Sequence, residues 1–167
     1  MIYFISDFHL GHRSILRHTK EEGTFRGGST VDEHDEWVIE RCLSVNPDKR
    51  TCWYILGDVA MEKSKLELLN RLPGTKWLVL GNHDKFDSQT YLKYFKKLMG
   101  THKKYKIWIS HVQMHPAELR GHFNIHGHSH DNMTGNDPRY LNVSIEYLPN
   151  YQPISLEQVR AHWGLPQ

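Results

Sequence analysis

The sequence predicts an α/β fold in which two β-sheets pack together with helices outside them. Short apolar runs alternate with helical patterns in the first part of the chain, and later strands follow one another through shorter connections. A third observation concerns where the runs end. Residues 2–6, 53–56, 77–80, 107–109 and 123–125 each lead directly into a polar cluster. The clusters are Asp7-Phe8-His9, Gly57-Asp58, Gly81-Asn82-His83-Asp84, Ser110-His111 and Gly127-His128-Ser129-His130. Ligands of open α/β sheets bind outside the carboxyl ends of strands, so these donors are expected to gather at one edge.

The first strand, residues 2–6, is followed by a polar loop over 11–29 that ends in Gly27-Gly28. Thr30 with Glu33 forms a capping-box pattern and opens a helix to about residue 45, with Trp37, Val38, Cys42 and Leu43 as its buried stripe. Asn46-Pro47-Asp48 closes that helix as a turn. The second strand, 53–56, precedes a short helix over 64–72. This helix carries Leu66, Leu69 and Leu72 on one side and stops at Pro73-Gly74. The third strand, 77–80, precedes a helix from Ser88 to Met99 with Tyr91, Phe95 and Leu98 at helical spacing. Residues 106–110 and 122–126 read as strands. Residues 140–147 alternate Leu141, Val143 and Ile145 with polar positions, as a half-exposed strand does. Ser155 with Gln158 is a second capping box, opening a terminal helix.

A chain of 167 residues fits one domain, 1–167, with no room for a cap domain. The formal charge of +2 gives no general drive toward nucleic acid or membranes. Cys42 and Cys52 stand in no CxxC spacing and are expected as free core thiols, which fits a reducing, cytoplasmic setting. No targeting pattern or membrane span is apparent. Histidine is the outlier, with thirteen copies, five of them inside the clusters.

Asp, Asn and His supply the oxygen and nitrogen donors that suit divalent transition metals without thiolate. Asp7 and His9 lie two apart, so on an extended segment they share a face. His128 and His130 repeat that spacing in a loop before the turn-rich residues 131–137, where the chain can bend to aim each imidazole at a different ion. Asp58 stands alone behind a glycine, with two oxygens available to bridge. Asn82 offers a carbonyl oxygen, and His111 a further imidazole. Two ions about 3.5–4 Å apart can clamp a phosphoryl group and lower the pKa of a bridging water.

In order and spacing these clusters resemble the calcineurin-like metallophosphoesterase family, whose pattern is DxH, GD, GNH[DE], a lone H and GHxH. The resemblance covers nearly the whole chain and finds every ligand position filled. It implies a four-layer α/β/β/α sandwich. One ion would be held by Asp7, His9 and His130, and a second by Asn82, His111 and His128, with Asp58 bridging. His83 would act at the scissile phosphate as charge stabiliser or general acid, oriented by a neighbouring carboxylate, with Asp84 the candidate. The implied cofactors are two divalent ions, manganese ahead of nickel, iron, cobalt or zinc. The implied reaction is hydrolysis of a phosphate ester by in-line attack of a hydroxide shared between the ions.

Departures from the family pattern narrow the substrate. Gly57-Asp58-Val59-Ala60-Met61-Glu62 lacks the second Asp and the Arg of serine/threonine protein phosphatases, and Asp84 stands where they usually carry Glu. The chain is more similar to small uncapped bacterial and phage phosphoesterases, so a small nucleotide-like ester is the expected partner. His12 and Arg13 are candidates to meet its phosphate. A small nuclease is the alternative enzyme, motivated by Lys93, Lys96, Lys97, Lys103, Lys104 and Lys106, although lysines on an amphipathic helix usually form its wet face. A metal-stabilised interaction module without turnover is the non-enzymatic alternative.

Overall fold

β1 (Ile2–Ile5) and β2 (Cys52–Ile55) pair in parallel, and the register sets Tyr3 against Trp53 and Phe4 against Tyr54. Both pairs stack, with ring centroids 5.4 and 5.1 Å apart. Neighbouring residues of a strand point to opposite faces, so these aromatic pairs pack the two sides of the same sheet. β3 (Thr75–Val79) and β4 (Lys97–Met99) extend the parallel set. A second sheet comprises β5 (His102–Lys104), β6 (Ile107–Ile109), β7 (Phe123–His126) and β8 (Tyr140–Asn142). In it β6, β7 and β8 are parallel and β5 is antiparallel to β6. β9 (Ile154–Ser155) returns antiparallel to β1, giving a first-sheet order of β4-β3-β2-β1-β9. This computed structural model describes residues 1–17, 26–130 and 137–166. Residues 18–25 of the loop over 11–29 and 131–136 of the turn-rich 131–137 lie outside the described residues.

The result is a mixed α/β fold with two mixed sheets and several helices. One apolar cluster takes Ile5, Tyr54 and Leu78 from the first sheet and Ile107, Ile109 and Ile125 from the second, all fully buried. Each such side chain contributes about 1.5–3 kcal/mol on burial. α1 (Val31–Leu43) has both halves of its capping box. Thr30 Oγ1 accepts the Glu33 N–H at 3.2 Å, and Glu33 Oε2 accepts the Thr30 N–H at 3.2 Å. The helix buries Val38, Ile39 and Cys42, whereas Trp37 and Leu43 are only half-buried. Cys42 and Cys52 are free thiols.

Several expected elements differ. The predicted helix over 88–99 is a single turn, α2 (Ser88–Tyr91), capped by Asp87 rather than Ser88. Tyr91 and Phe95 are buried as their spacing requires, but the Lys96 N–H then bonds the Lys76 carbonyl and the chain enters β4. An open edge on β3 needs a partner, and that demand overrides helical periodicity. The segment over 64–72 is a 3₁₀ helix (Lys63–Arg71), whose three-residue period suits Leu66, Leu69 and Leu72. The predicted strand over 140–147 stops at Asn142. Asn142 Oδ1 accepts from the Ser144 N–H and hydroxyl, bending the chain so that Ser144 bridges to Ser6, and a 3₁₀ turn (Ile145–Tyr147) follows. β5 and β9 carry no pattern of their own in the sequence. The second capping box does open α3 (Leu156–His162), through Ser155 and Gln158.

Candidate metal centre

Asp7 follows β1, Asp58 follows β2, Asn82 follows β3, His111 follows β6, and His128 and His130 follow β7. Parallel pairing within each sheet therefore puts three clusters at one end of the first sheet and two at one end of the second. The ends meet in two trios of donors, Asp7 with His9 and His130, and Asp58 with His111 and His128; in each, one ligand atom per residue lies within 4.8 Å of the others. Asp58 also joins the trios. Its Oδ2 lies 3.7 Å from His9 Nε2 and its Oδ1 3.5 Å from His111 Nε2. Asn82 Oδ1 is 2.9 Å from His111 Nε2, so all seven predicted ligands are brought together.

The local backbone is unusual. Asp7, His9, Asp58, His128 and His130 have φ of 61, 51, 54, 68 and 46°, in the left-handed region. For non-glycine residues this costs about 1–2 kcal/mol each, a cost characteristic of functional sites. Asp7 and His9 thus converge through tight turns rather than from one face of an extended segment, as their spacing had suggested. Gly57 has φ of 91°, and a Cβ there would lie 2.5 Å from His111 Nδ1. Only glycine lets the two sheets approach at that point.

Groups behind the donors fix their direction. Asp7 Oδ2 accepts the His128 N–H at 3.0 Å and the Ser144 hydroxyl at 2.9 Å, while its buried Oδ1 has no partner. His111 Nδ1 is 2.7 Å from the Leu56 carbonyl, so Nδ1 carries the proton and donates it while Nε2 faces inward. His130 Nδ1 lies 2.8 Å from Glu146 Oε1. Burial, reinforced by the charges of Arg26 and His130, pushes His9 down to about 2. Burial opposes ionisation of Asp58, yet His111 beside it holds the carboxyl at about 2. His111 is raised to about 9 against its own burial, by Asp58 and Asp7.

Buried Asp7 Oδ1 and His9 Nε2 lack hydrogen-bond partners and point toward the other donors of their trio. Leaving such atoms bare is costly, and a cation at that point satisfies them together. The residues present therefore fit a metal ion on geometry as well as on donor chemistry.

The remaining predicted site residues fall less uniformly. His83 is half-buried with its ring 5.6 Å from His9, its backbone N–H bonds Asp58 Oδ1 at 2.9 Å, and its Nδ1 has no partner. Asp84 does not orient it. Both Asp84 oxygens are taken by the backbone N–H groups of Asp58, Val59 and Gly81, at 2.9, 3.0 and 2.8 Å. Asp84 is a tie between loops, and its place among the catalytic candidates is corrected accordingly. The His12 ring lies 5.4 Å from His9, at the edge of the centre. Arg13 is exposed and turned to Glu62 at 3.8 Å.

Three residues behind the centre lie outside the five clusters. Arg26, Glu146 and Ser144 are buried, and no periodicity or spacing marks them. His34 and Asp35, buried on α1, extend the same network. The only signal was an arginine and a glutamate in segments otherwise read as loop and half-exposed strand.

Fold and site together define a mixed α/β protein with a paired His/Asp constellation at its strand ends. No family model matches the chain. It is 32% identical over 168 residues to uncharacterized protein MJ1445 of Methanocaldococcus jannaschii, spanning 95% of this chain and 88% of that one. The chain belongs to the family of that archaeal protein. It is also 33% identical over 89 residues to the gene 66 protein of Mycobacterium phage L5, covering 49% of this chain and 39% of the phage protein. The crystal structure of the protein of unknown function AQ665 from Aquifex aeolicus matches with a TM-score of 0.76 and 27% identity, over 96% of this chain and 98% of that one. Among the described residues, no helix is long and apolar enough to cross a membrane.

Proposed function

We propose that this protein is a dinuclear-metal-dependent phosphoesterase of the calcineurin-like kind, a single domain with that family's four-layer α/β/β/α arrangement. The observation that carries the reading is Asp58, whose two oxygens are divided between the two donor trios. Asp7, His9 and His130 would hold one ion and Asn82, His111 and His128 the other, with manganese the leading metal. When bound, such a pair supplies Lewis acidity, an activated water, and stabilisation of the attacking and leaving oxygens.

The chain's own residues supply the rest. His83, next to His9 with a bare Nδ1, would stabilise or protonate the departing oxygen. His12 borders the same space and can orient a phosphate. A small nucleotide-like ester is the favoured substrate. The nuclease alternative is the less favoured reading, because two of the six lysines behind it lie elsewhere: Lys97 opens β4, and Lys104 pairs with Ile107 at the start of β6. Both stand at the sheet ends away from His111. Lys97 and Lys104 also lie over the Trp77 ring, 5.9 and 4.7 Å from its centroid.

The test is hydrolysis of aryl phosphodiesters and monoesters by protein loaded in turn with Mn²⁺, Ni²⁺, Fe²⁺, Co²⁺ and Zn²⁺. Turnover that disappears in Asp58→Asn, together with the loss of at least one bound ion, supports the reading. No hydrolysis with any of these ions would falsify it for this substrate class and favour the interaction module.

A further inference from the structure

Arg26 is buried, and every one of its five N–H donors has a partner. Nε donates to Glu146 Oε1 at 2.7 Å. Nη2 donates to the same Glu146 oxygen and to the Asp7 carbonyl, the latter at 2.7 Å. Nη1 donates to the Phe8 carbonyl at 3.1 Å and to His34 Nε2 at 3.2 Å. Because His34 Nε2 accepts, its proton sits on Nδ1, 3.2 Å from Asp35 Oδ1. Asp35 in turn accepts the Gly11 N–H, at 3.0 and 3.1 Å to its two oxygens, and pairs with Lys65 at 3.0 Å.

We infer that Glu146 is the positioning residue of His130, and that Arg26 locks it to the backbone of Asp7. The inference rests on the metal-centre reading above. Glu146 Oε1 accepts from His130 Nδ1 at 2.8 Å, which commits the proton to Nδ1 and leaves Nε2 bare, 3.9 Å from Asp7 Oδ1. Metal-ligating histidines commonly donate their second N–H to a carboxylate, which orients the ring and raises its basicity. Here the carboxylate is itself held by a guanidinium that grips the carbonyls of Asp7 and Phe8. Through Glu146, in the turn after β8, one planar group therefore ties the turn after β1 to His130 in the loop after β7, and so sets the spacing of Asp7, His9 and His130. The trio of Asp58, His111 and His128 has a different arrangement, since His111 is backed by the neutral Leu56 carbonyl. Lysine cannot take Arg26's place, because three donors on a flexible stem cannot satisfy these four acceptors arranged around a planar fork.

The first experiment needs no substitution. Nitrogen-15 NMR of the zinc-loaded wild type reads the tautomer of each histidine. Protonated Nδ1 and unprotonated Nε2 on His130 are expected, and the reverse tautomer overturns the inference. The second experiment titrates Co²⁺ into the wild type and Glu146→Gln, following the absorption of the bound ion and the stoichiometry by dialysis. Weakening of one of two ions by about 10–100-fold, with a changed spectrum for that ion and the other unaffected, is expected. Unchanged affinity and spectrum overturn it. If Glu146→Gln leaves the buried guanidinium too costly to fold, Arg26→Met with Glu146→Leu removes both charges and repeats the titration under the same criteria. Arg26→Lys is expected to weaken the same ion. A wild type that takes up neither zinc nor cobalt removes the metal-centre reading itself, a result separable from a loaded wild type that Glu146→Gln leaves untouched.

Discussion

The carboxylate of Asp84 accepts the backbone N–H of Asp58 at 2.9 Å. With the N–H groups of Val59 and Gly81 on the same carboxylate, it ties the loop after β2 to the loop after β3. Asp84→Ala leaves these donors without acceptors, and each orphaned buried donor costs about 1–3 kcal/mol. A total loss of about 3 kcal/mol is expected in urea unfolding of the metal-free protein. Asp84→Asn should be nearly as costly, since one acceptor becomes a donor aimed at an N–H. Wild-type stability in both variants would show that the tie contributes nothing.

His83 differs from Asp84 in having a bare ring nitrogen beside the centre rather than a structural bond. His83→Gln is expected to lower kcat by about 10²-fold or more while both ions stay bound. Elemental analysis and steady-state kinetics check this together. Loss of an ion in this variant would move His83 into the ligand set.

The site was far more legible in the sequence than the fold around it. The candidate ligands sit in short motifs behind strands, and parallel pairing converts motif order into spatial convergence without further information. The helix expected over 88–99 failed because Lys97–Met99 answers an open edge on β3, a non-local demand that periodicity cannot register. The strand expected over 140–147 failed because the Asn142 side chain turns the backbone at Ser144. Arg26 and Glu146 were invisible for a related reason. Their contact spans 120 residues, and neither carries a local pattern.

On the proposed metal-centre reading, His111 would make metal loading dependent on pH. In the metal-free protein its pKa is raised to about 9, because the pull of Asp58 and Asp7 exceeds the effect of burial. The stability this contributes is fully present below the unfolded value, about 6.5, and is lost as pH rises through about 9. A metal takes the neutral imidazole, so loading at about pH 7.5 must expel that proton. Calorimetric titration in two buffers of different ionisation enthalpy should show release of at least one proton per chain, with His111 the main source and His130, raised against its burial by Glu146, a further one. Heats that do not depend on the buffer would show that loading expels no proton and that His111 is already neutral at this pH.

Gly127 connects the candidate metal centre to packing between the sheets. A Cβ at this position would lie 2.0 Å from Ser6 Oγ and 2.5 Å from Asp7 Oδ2. Ser6 is pinned through its bond to the Leu56 carbonyl at 2.7 Å, and Asp7 Oδ2 through the His128 N–H and Ser144. Neither neighbour can retreat without breaking a buried bond. Gly127→Ala should therefore cost about 1–3 kcal/mol from overpacking and displace Asp7. Loss of an ion should accompany the fall in stability, whereas Gly100→Ala, with open space around its Cβ, should alter neither. Thermal unfolding and metal content of the two variants, measured side by side, separate crowding at the centre from a general intolerance of substitution.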